Sequence, residues 1–332
     1  MSEARRYPHQ DINGLREGMA CKSVYLLQAS TPRITTTGKP YLAVTLQDAT
    51  GTISGKVWEK KPEMDEITAG EAVLAGFTVE TYNGKLQINV SQLQRIPDDH
   101  PIPKEYLRLL LPMAPEPLEK MYSELWNAAD EFHDSDYKRL TKKVLSDNRQ
   151  VLLTIPAAQK VHENGIGGLL QHLTGMLKVA KGFVAAYPNL INADLLYCGV
   201  ILHDIGKIRE FQLGKFGLVT GYTNEGNLEG HLFIGAEYIG KVCDDLSVDP
   251  EKKMMLQHML LSHHGNPEFG ACVQPKFLEA YLLYLCDLTD SQVWIFEDAY
   301  KDLKPGKTAE TANFFLDNVH VYRPQKRLVT IH

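Results

Sequence analysis

The hydrophobic pattern of this chain changes period once, and the change falls in a stretch rich in proline. Between Gly18 and Ile96 apolar and polar residues tend to alternate, which is the spacing of half-buried strands. From Leu118 onward apolar residues recur three and four apart, which is the spacing of amphipathic helices. Pro97, Pro101 and Pro103 make a stiff linker between the two regimes, and Pro112, Pro115 and Pro117 punctuate the approach to the first helices. A chain of 332 residues is long enough for two or more cores. The order predicts a multi-domain α+β protein: a β module with its linker over residues 1–104, a helical connector over 105–155 and an all-α domain over 156–332.

Within the first region the first strand is expected inside Met19 to Gln28. Tyr41 to Leu46 and Thr52 to Trp58 follow, joined by a tight turn at Asp48 to Gly51. A charged, helical piece is expected over Lys60 to Ile67. Then come Ala72 to Thr81 and Lys85 to Val90, joined by Asn83-Gly84, a strong hairpin signal. Three strands, a short helix and two strands resemble the order of a five-stranded OB-fold β-barrel. The resemblance implies a module that stacks the bases of a single strand on aromatic rings beside basic groups, and Tyr41, Lys56, Trp58, Tyr82 and Lys85 are its candidates. Residues 1–100 hold 11 Lys and Arg against 12 Asp and Glu, and the chain carries a net charge of -6. No global field therefore attracts a polyanion, and any such contact must come from local basic groups or bound cations. A barrel without base contacts stays open.

Met1 to Gln10 lacks the apolar stretch of a secretory signal, and no apolar run approaches the roughly 20 residues of a spanning helix. The expected location is cytoplasmic. Five scattered cysteines, Cys21, Cys198, Cys243, Cys272 and Cys286, form no CxxC pair, which argues against a disulfide framework and against a zinc knuckle.

Seven of the twelve histidines fall between His162 and His264, and most sit in helical stretches that are otherwise apolar. His172 lies in LLQHL, His203 and Asp204 in ILHDIGK, and Asp287 in LYLCDL. A carboxylate buried alone is costly, and the usual remedy is a cation or a charge partner. Imidazoles with carboxylates suit Mn, Fe, Co or Zn in an open, catalytic site. Successive helical residues are about 100° apart, so His203 and Asp204 can lean towards one ion while Lys207 projects from the same side. A solvated lysine at a helix end is the alternative for Lys207.

The ordered set His172, His203-Asp204, Asp287 resembles the signature of the HD superfamily of metal-dependent phosphohydrolases. Through that resemblance these four residues hold one ion. His231 and His263 hold a second with Asp204 bridging, and His264 ligates or faces substrate. The segments GGLLQH, LLYCGVILHDIGK, GYTNEGNLEGH and LQHMLLSHHG, together with the preceding barrel, resemble YhaM-type 3′→5′ exoribonucleases. His162-Glu163 departs from that pattern, where a pair of histidines is expected. The resemblance implies release of nucleoside 5′-monophosphates from the 3′ end of single-stranded RNA, with single-stranded DNA as a second substrate class. It further implies two divalent ions, manganese favoured.

Two ions can activate a water and clamp phosphate oxygens, which suits phosphodiester hydrolysis. Asp204 and Lys207 would be the catalytic pair, Lys207 meeting a phosphate oxygen. Lys207, His264, Arg209, Tyr222 and Asn224 are the candidates for gripping the terminal nucleotide, with ordinary loop or surface roles as the alternative for all but Lys207. No GxSxG elbow, P-loop or GxGxxG fingerprint is present. Two rival readings remain: an HD-type di-iron oxygenase acting on a small molecule, and a non-catalytic RNA-binding protein. The sequence leaves a homo-oligomer open and assigns no role to the C-terminal stretch from Val319 to His332.

Overall fold

The computed structural model describes residues 8–59, 64, 67–96, 108–158, 165–214, 217, 219–301 and 303–325. Five strands, β1 (Ala20–Ile34), β2 (Pro40–Asp48), β3 (Gly51–Val57), β4 (Ala72–Tyr82) and β5 (Lys85–Arg95), close into a barrel in the order β1-β2-β3-β5-β4. Inward-facing Leu27, Leu46, Ile53, Val73 and Ile88 fill it. β1 runs further than the sequence pattern predicts. Its first half pairs with β4, up to Leu26↔Ala72, and its second half pairs with β2, out to Ile34↔Pro40. That outer end is largely exposed, so no apolar alternation marks it. The predicted Asp48 turn forms because the Asp48 Oδ1 accepts from the amides of Thr50 (2.7 Å) and Gly51 (3.1 Å). Its Oδ2 accepts from the Ile12 amide at 2.8 Å, which ties the N-terminal segment to the barrel.

The helical part comprises α1 (Leu118–Asp130), α2 (Ser135–Asp147), α3 (Arg149–Leu152), α4 (Gly168–Ala186), α5 (Ala193–Leu202), α6 (Lys207–Glu210), α7 (Asn224–Asp245), α8 (Pro250–Ser262) and α9 (Leu278–Lys301). Their apolar faces share one core that includes Leu125, Leu140, Leu170, Leu196, Ile239, Leu260 and Leu283. A smaller cluster joins the two parts: Leu110 and Leu111 of the connector pack against Val24, Leu26 and Ala72 on the outside of the barrel. The fold class is thus multi-domain α+β, a barrel followed by a helical region.

Two features depart from the expected helices. The helix that carries the aliphatic run before His203 stops at Leu202, where ILHDIGK suggests it continues, and residues 203–206 form a turn before α6. A hairpin, β6 (Phe211–Leu213) with β7 (Val219–Tyr222), then leads into α7. Near the C-terminus β8 (Lys307–Thr308) pairs with β9 (Tyr322–Arg323). Pro97, Pro101, Pro103, His162-Glu163, most of Lys60 to Ile67 and the end of the chain from residue 326 lie outside the described residues. Among the described residues no helix is long and apolar enough to cross a membrane.

Candidate metal centre

Four elements and the turn after α5 bring the histidines together. His172 comes from the second turn of α4, and His203 caps the C-terminus of α5, with Asp204 next in the turn. The turn runs against α7 with no room between them: a Cβ on Gly206 would lie 2.1 Å from the His231 carbonyl. Gly230, at φ +72°, breaks α7 one residue before His231, so the imidazole leaves a fresh helix start. His263 and His264 follow the last turn of α8, and Asp287 lies on α9.

Each of the five imidazoles is fixed through Nδ1. His172 Nδ1 meets Asp290 Oδ2 at 2.8 Å, and His231 Nδ1 meets Glu210 Oε1 at 2.9 Å. His203, His263 and His264 bond the carbonyls of Val200 (2.9 Å), Leu260 (2.8 Å) and Phe269 (3.0 Å). An acceptor at Nδ1 holds the proton there and leaves Nε2 as a lone pair, which is how metal-ligating histidines are oriented. The Nε2 atoms of His203, His231 and His263 and the Oδ1 of Asp204 are buried with no hydrogen-bond partner among the described residues.

The separations fit ions better than direct bonds. His203 Nε2 stands 3.3 Å and His172 Nε2 4.0 Å from Asp204 Oδ2, while His172 Nε2 is 3.4 Å from Asp287 Oδ1. On its other side Asp204 Oδ1 lies 3.5 Å from His231 Nε2 and 3.7 Å from His263 Nε2. Two ligands each roughly 2.0–2.2 Å from one ion sit about 3–4 Å apart. Within this cluster, ligand atoms of three groups lie within 4.8 Å of one another: His172, His203 and Asp204; His203, His263 and Asp287; and His231, His263 and His264; a further group, His9, Asp11 and Asp48, lies on the barrel. The donor set of imidazoles and carboxylates therefore fits divalent metal, with one oxygen of Asp204 turned to each side.

Electrostatics favour the ligating forms of His263, His264, Asp204 and Asp287. Burial lowers the His263 imidazole well below its usual range, assisted by His203, and burial likewise lowers His264. Burial pushes the Asp204 carboxyl up, but the Lys207 ammonium, 2.5 Å from Oδ2, and His203 outweigh it and hold the acid well below its usual range. Asp287 follows the same course, burial raising it and His172 lowering it further. Burial works to lower Lys207, and Asp204 overcomes that and raises it.

Arg209, Tyr222 and Asn224 are not drawn into this cluster. Arg209 pairs with Glu225 at 2.8 Å, the Tyr222 ring packs on Phe211 at 5.7 Å, and Asn224 is exposed at the start of α7. Asp290 and Glu210 hold His172 and His231, and nothing in sequence marks them, because an acid in a helix looks like any solvated face. On the barrel, Lys56 lies 4.9 Å from the Tyr82 ring centre, 5.5 Å from Trp58 and 5.8 Å from Tyr41, and Tyr41 packs on Trp58 at 5.4 Å. Lys39, missed in sequence, stands 5.1 Å over Trp58. Lys85, exposed opposite Tyr82 in the β4–β5 register, stays outside this ring cluster.

Among solved structures, a replication protein A heterotrimer bound to ssDNA is similar at 20% identity and TM-score 0.21, over 28% of this chain and 72% of that one. Aspartyl tRNA synthetase from Entamoeba histolytica matches at 12% identity and TM-score 0.24, over 55% of this chain and 38% of that one. RecG bound to a three-way DNA junction matches at 14% identity and TM-score 0.23, over 62% and 27%. Residues 169–292 match the family model described as HD domain, which spans the whole His172 to Asp287 constellation. The stretch that matches the HD domain model thus follows a five-stranded barrel in the chain.

Proposed function

We propose that this chain is a 3′→5′ exoribonuclease that shortens single-stranded RNA, and single-stranded DNA as a second class, to nucleoside 5′-monophosphates. The observation that carries the reading is the set of imidazoles whose Nδ1 atoms are all engaged, with three buried Nε2 atoms left facing one carboxylate. The 3′ polarity and the preference for RNA come from the YhaM resemblance and the barrel. The barrel module is taken as 1–104, the connector as 105–155 and the catalytic domain as 156–332.

In this reading His172, His203, Asp204 and Asp287 hold one divalent ion, and His231 and His263 hold the other. His264 belongs to the second set, because its ligand atom groups with theirs. Mn2+ is the favoured ion. Bound divalent ions supply a water of lowered pKa and offset charge on phosphate oxygens. Asp204 serves both sides through its two oxygens. Lys207, held on Asp204, offers its ammonium to a phosphate oxygen as negative charge grows there. The cluster of Tyr41, Lys56, Trp58 and Tyr82, joined by Lys39, stacks bases of the incoming strand.

The test is end-labelled single-stranded RNA and DNA with Mn2+, beside an Asp204→Asn control. Stepwise shortening from the 3′ end, abolished in the variant while RNA binding persists, is expected. Internal cuts, or cleavage of cyclic dinucleotides alone, would overturn the exonuclease reading and spare the metal centre.

A further inference from the structure

On the barrel, far in sequence from the histidines of the helical region, one imidazole faces two carboxylates. The segment that carries it is fixed on both sides. Before His9, the Pro8 carbonyl accepts from the Val24 amide and from the Ser23 hydroxyl, each at 3.1 Å. After it, the Gln10 amide donates to Ser23 Oγ at 2.8 Å and the Gln10 carbonyl accepts from the Tyr25 hydroxyl at 2.6 Å. Beyond Asp11, the amides of Ile12 and Asn13 donate to Asp48 Oδ2 (2.8 Å) and Thr50 Oγ1 (3.2 Å). His9 and Asp11 are thus held against β1 and the turn after β2 by bonds that use neither of their side chains.

The His9 side chain is only 8% exposed, and its Nδ1 stands 3.1 Å from the Val24 carbonyl. That acceptor holds a proton on Nδ1 and leaves Nε2 as a lone pair. Nε2 is buried with no hydrogen-bond partner among the described residues, and it faces Asp11 Oδ1 at 3.3 Å and Asp48 Oδ2 at 3.5 Å. These separations exceed the usual range of an N–H···O bond and match two ligands that share one ion. The three ligand atoms all lie within 4.8 Å of one another. Asp11 adds a second sign. It stands at the N-cap of the short 3-10 turn Ile12–Gly14, where an aspartate ordinarily accepts from an amide, yet its side chain makes no capping bond. Asp48 is fully buried, and its Oδ1 takes the Thr50 and Gly51 amides, so that Oδ2 keeps one lone pair after the Ile12 amide.

We propose that His9, Asp11 and Asp48 form a structural site for one divalent transition ion, which clamps the N-terminal segment onto the barrel. One imidazole nitrogen and two carboxylate oxygens suit such an ion, and the order of affinities places Zn2+ ahead of Mn2+. Asp11, whose side chain is 54% exposed, gives water access to complete the coordination. In the ion-free chain a proton on Nε2 stands between the same two carboxylates, so the site exchanges a proton for an ion. The clamp does not rest on the reading of the helical region as a nuclease.

The test strips the full chain with a chelator, returns Zn2+ by dialysis and counts the bound metal. It compares the parent with Asp11→Ala, and Asp204→Asn with the chain that carries both changes. The Asp11 side chain is exposed and caps nothing, so its removal leaves folding intact, which circular dichroism checks. Asp11→Ala is expected to hold one Zn2+ fewer in both backgrounds, whatever the helical region binds. In amide NMR spectra of the Asp204→Asn chain, Mn2+ is expected to broaden Ile12, Thr50 and Gly51, and to spare them once Asp11→Ala is added. Equal Zn2+ content with and without Asp11, or three amides that Mn2+ leaves sharp, would overturn the site and leave His9 a protonated partner of the two acids. Both readouts are bound metal, so neither depends on hydrolysis.

Discussion

Asp290 and Glu210 do for His172 and His231 what backbone carbonyls do for His203, His263 and His264. Removing such a partner frees the ring to turn and lowers its basicity, at a typical cost of about 10–100-fold in metal affinity. Asp290→Asn and Glu210→Gln are therefore expected to weaken Mn2+ binding by that factor in calorimetric titration, and unchanged affinity would count against the assigned orientation. That the histidines and aspartates of this cluster stand out in sequence follows from their setting, because a histidine or aspartate among large aliphatics demands a reason. Their two acidic partners do not, since nothing in one dimension separates a half-exposed helix acid from one aimed at an imidazole 118 residues away. A second titratable pair lies on the barrel, where His9 Nε2 approaches Asp48 at 3.5 Å. Asp48 raises His9 above its ordinary 6.5, so the support His9 gives is full below that pH and is lost as pH rises through its raised value. Burial raises Asp48, but His9, Thr50 and Ile12 lower it below its ordinary 3.8, so its support is present above that pH and is lost as pH falls. The stability difference between the parent and His9→Ala should therefore be largest between about pH 4 and 6.5 and shrink towards alkaline pH in urea melts. A difference that does not vary with pH would show the pair is idle.

At the scale of elements, the His203-Asp204 pair sits in a turn and not inside the long helix that its aliphatic flank suggests. The turn packs directly on α7: Gly206 lets the backbone of His231 approach to where a Cβ would stand 2.1 Å from its carbonyl. Periodicity reads the apolar face of a helix but not the neighbour that ends it. The outer half of β1 escaped for the same kind of reason, because its pairing with β2 is exposed and carries no alternation. The Asn83-Gly84 hairpin and the Asp48 turn were legible because their chemistry is local. Gly206→Ala places a methyl 2.1 Å from the His231 carbonyl. It is expected to cost about 1–3 kcal/mol of stability in chemical denaturation and to separate His231 from Asp204, with a parallel loss of metal affinity. A chain that accepts alanine there without either loss would mean the turn and α7 can move apart freely.

For the whole molecule, the order of barrel and helices follows from the change of hydrophobic period, while the seam between them does not, since Leu110 and Leu111 gain partners only once both parts are folded. If the barrel delivers substrate, Trp58→Ala should weaken binding of a long single strand about 5- to 150-fold, the loss of 1–3 kcal/mol of stacking, and leave cleavage of a dinucleotide unchanged. Equal losses on both substrates would place Trp58 in another role. The Nε2 atoms of His203, His231 and His263, buried without a hydrogen-bond partner among the described residues, have a consequence for folding as well as for chemistry. Burying such groups unmatched costs free energy, and the unfolded chain, with its candidate ligands scattered from residue 172 to residue 287, would offer an ion no comparable grip. An ion present at about 100 times its dissociation constant adds about 2.7 kcal/mol to the folded state. A chelator should accordingly lower the melting temperature of the helical domain more than that of the barrel, making metal supply a determinant of how long this protein survives as well as of how fast it works.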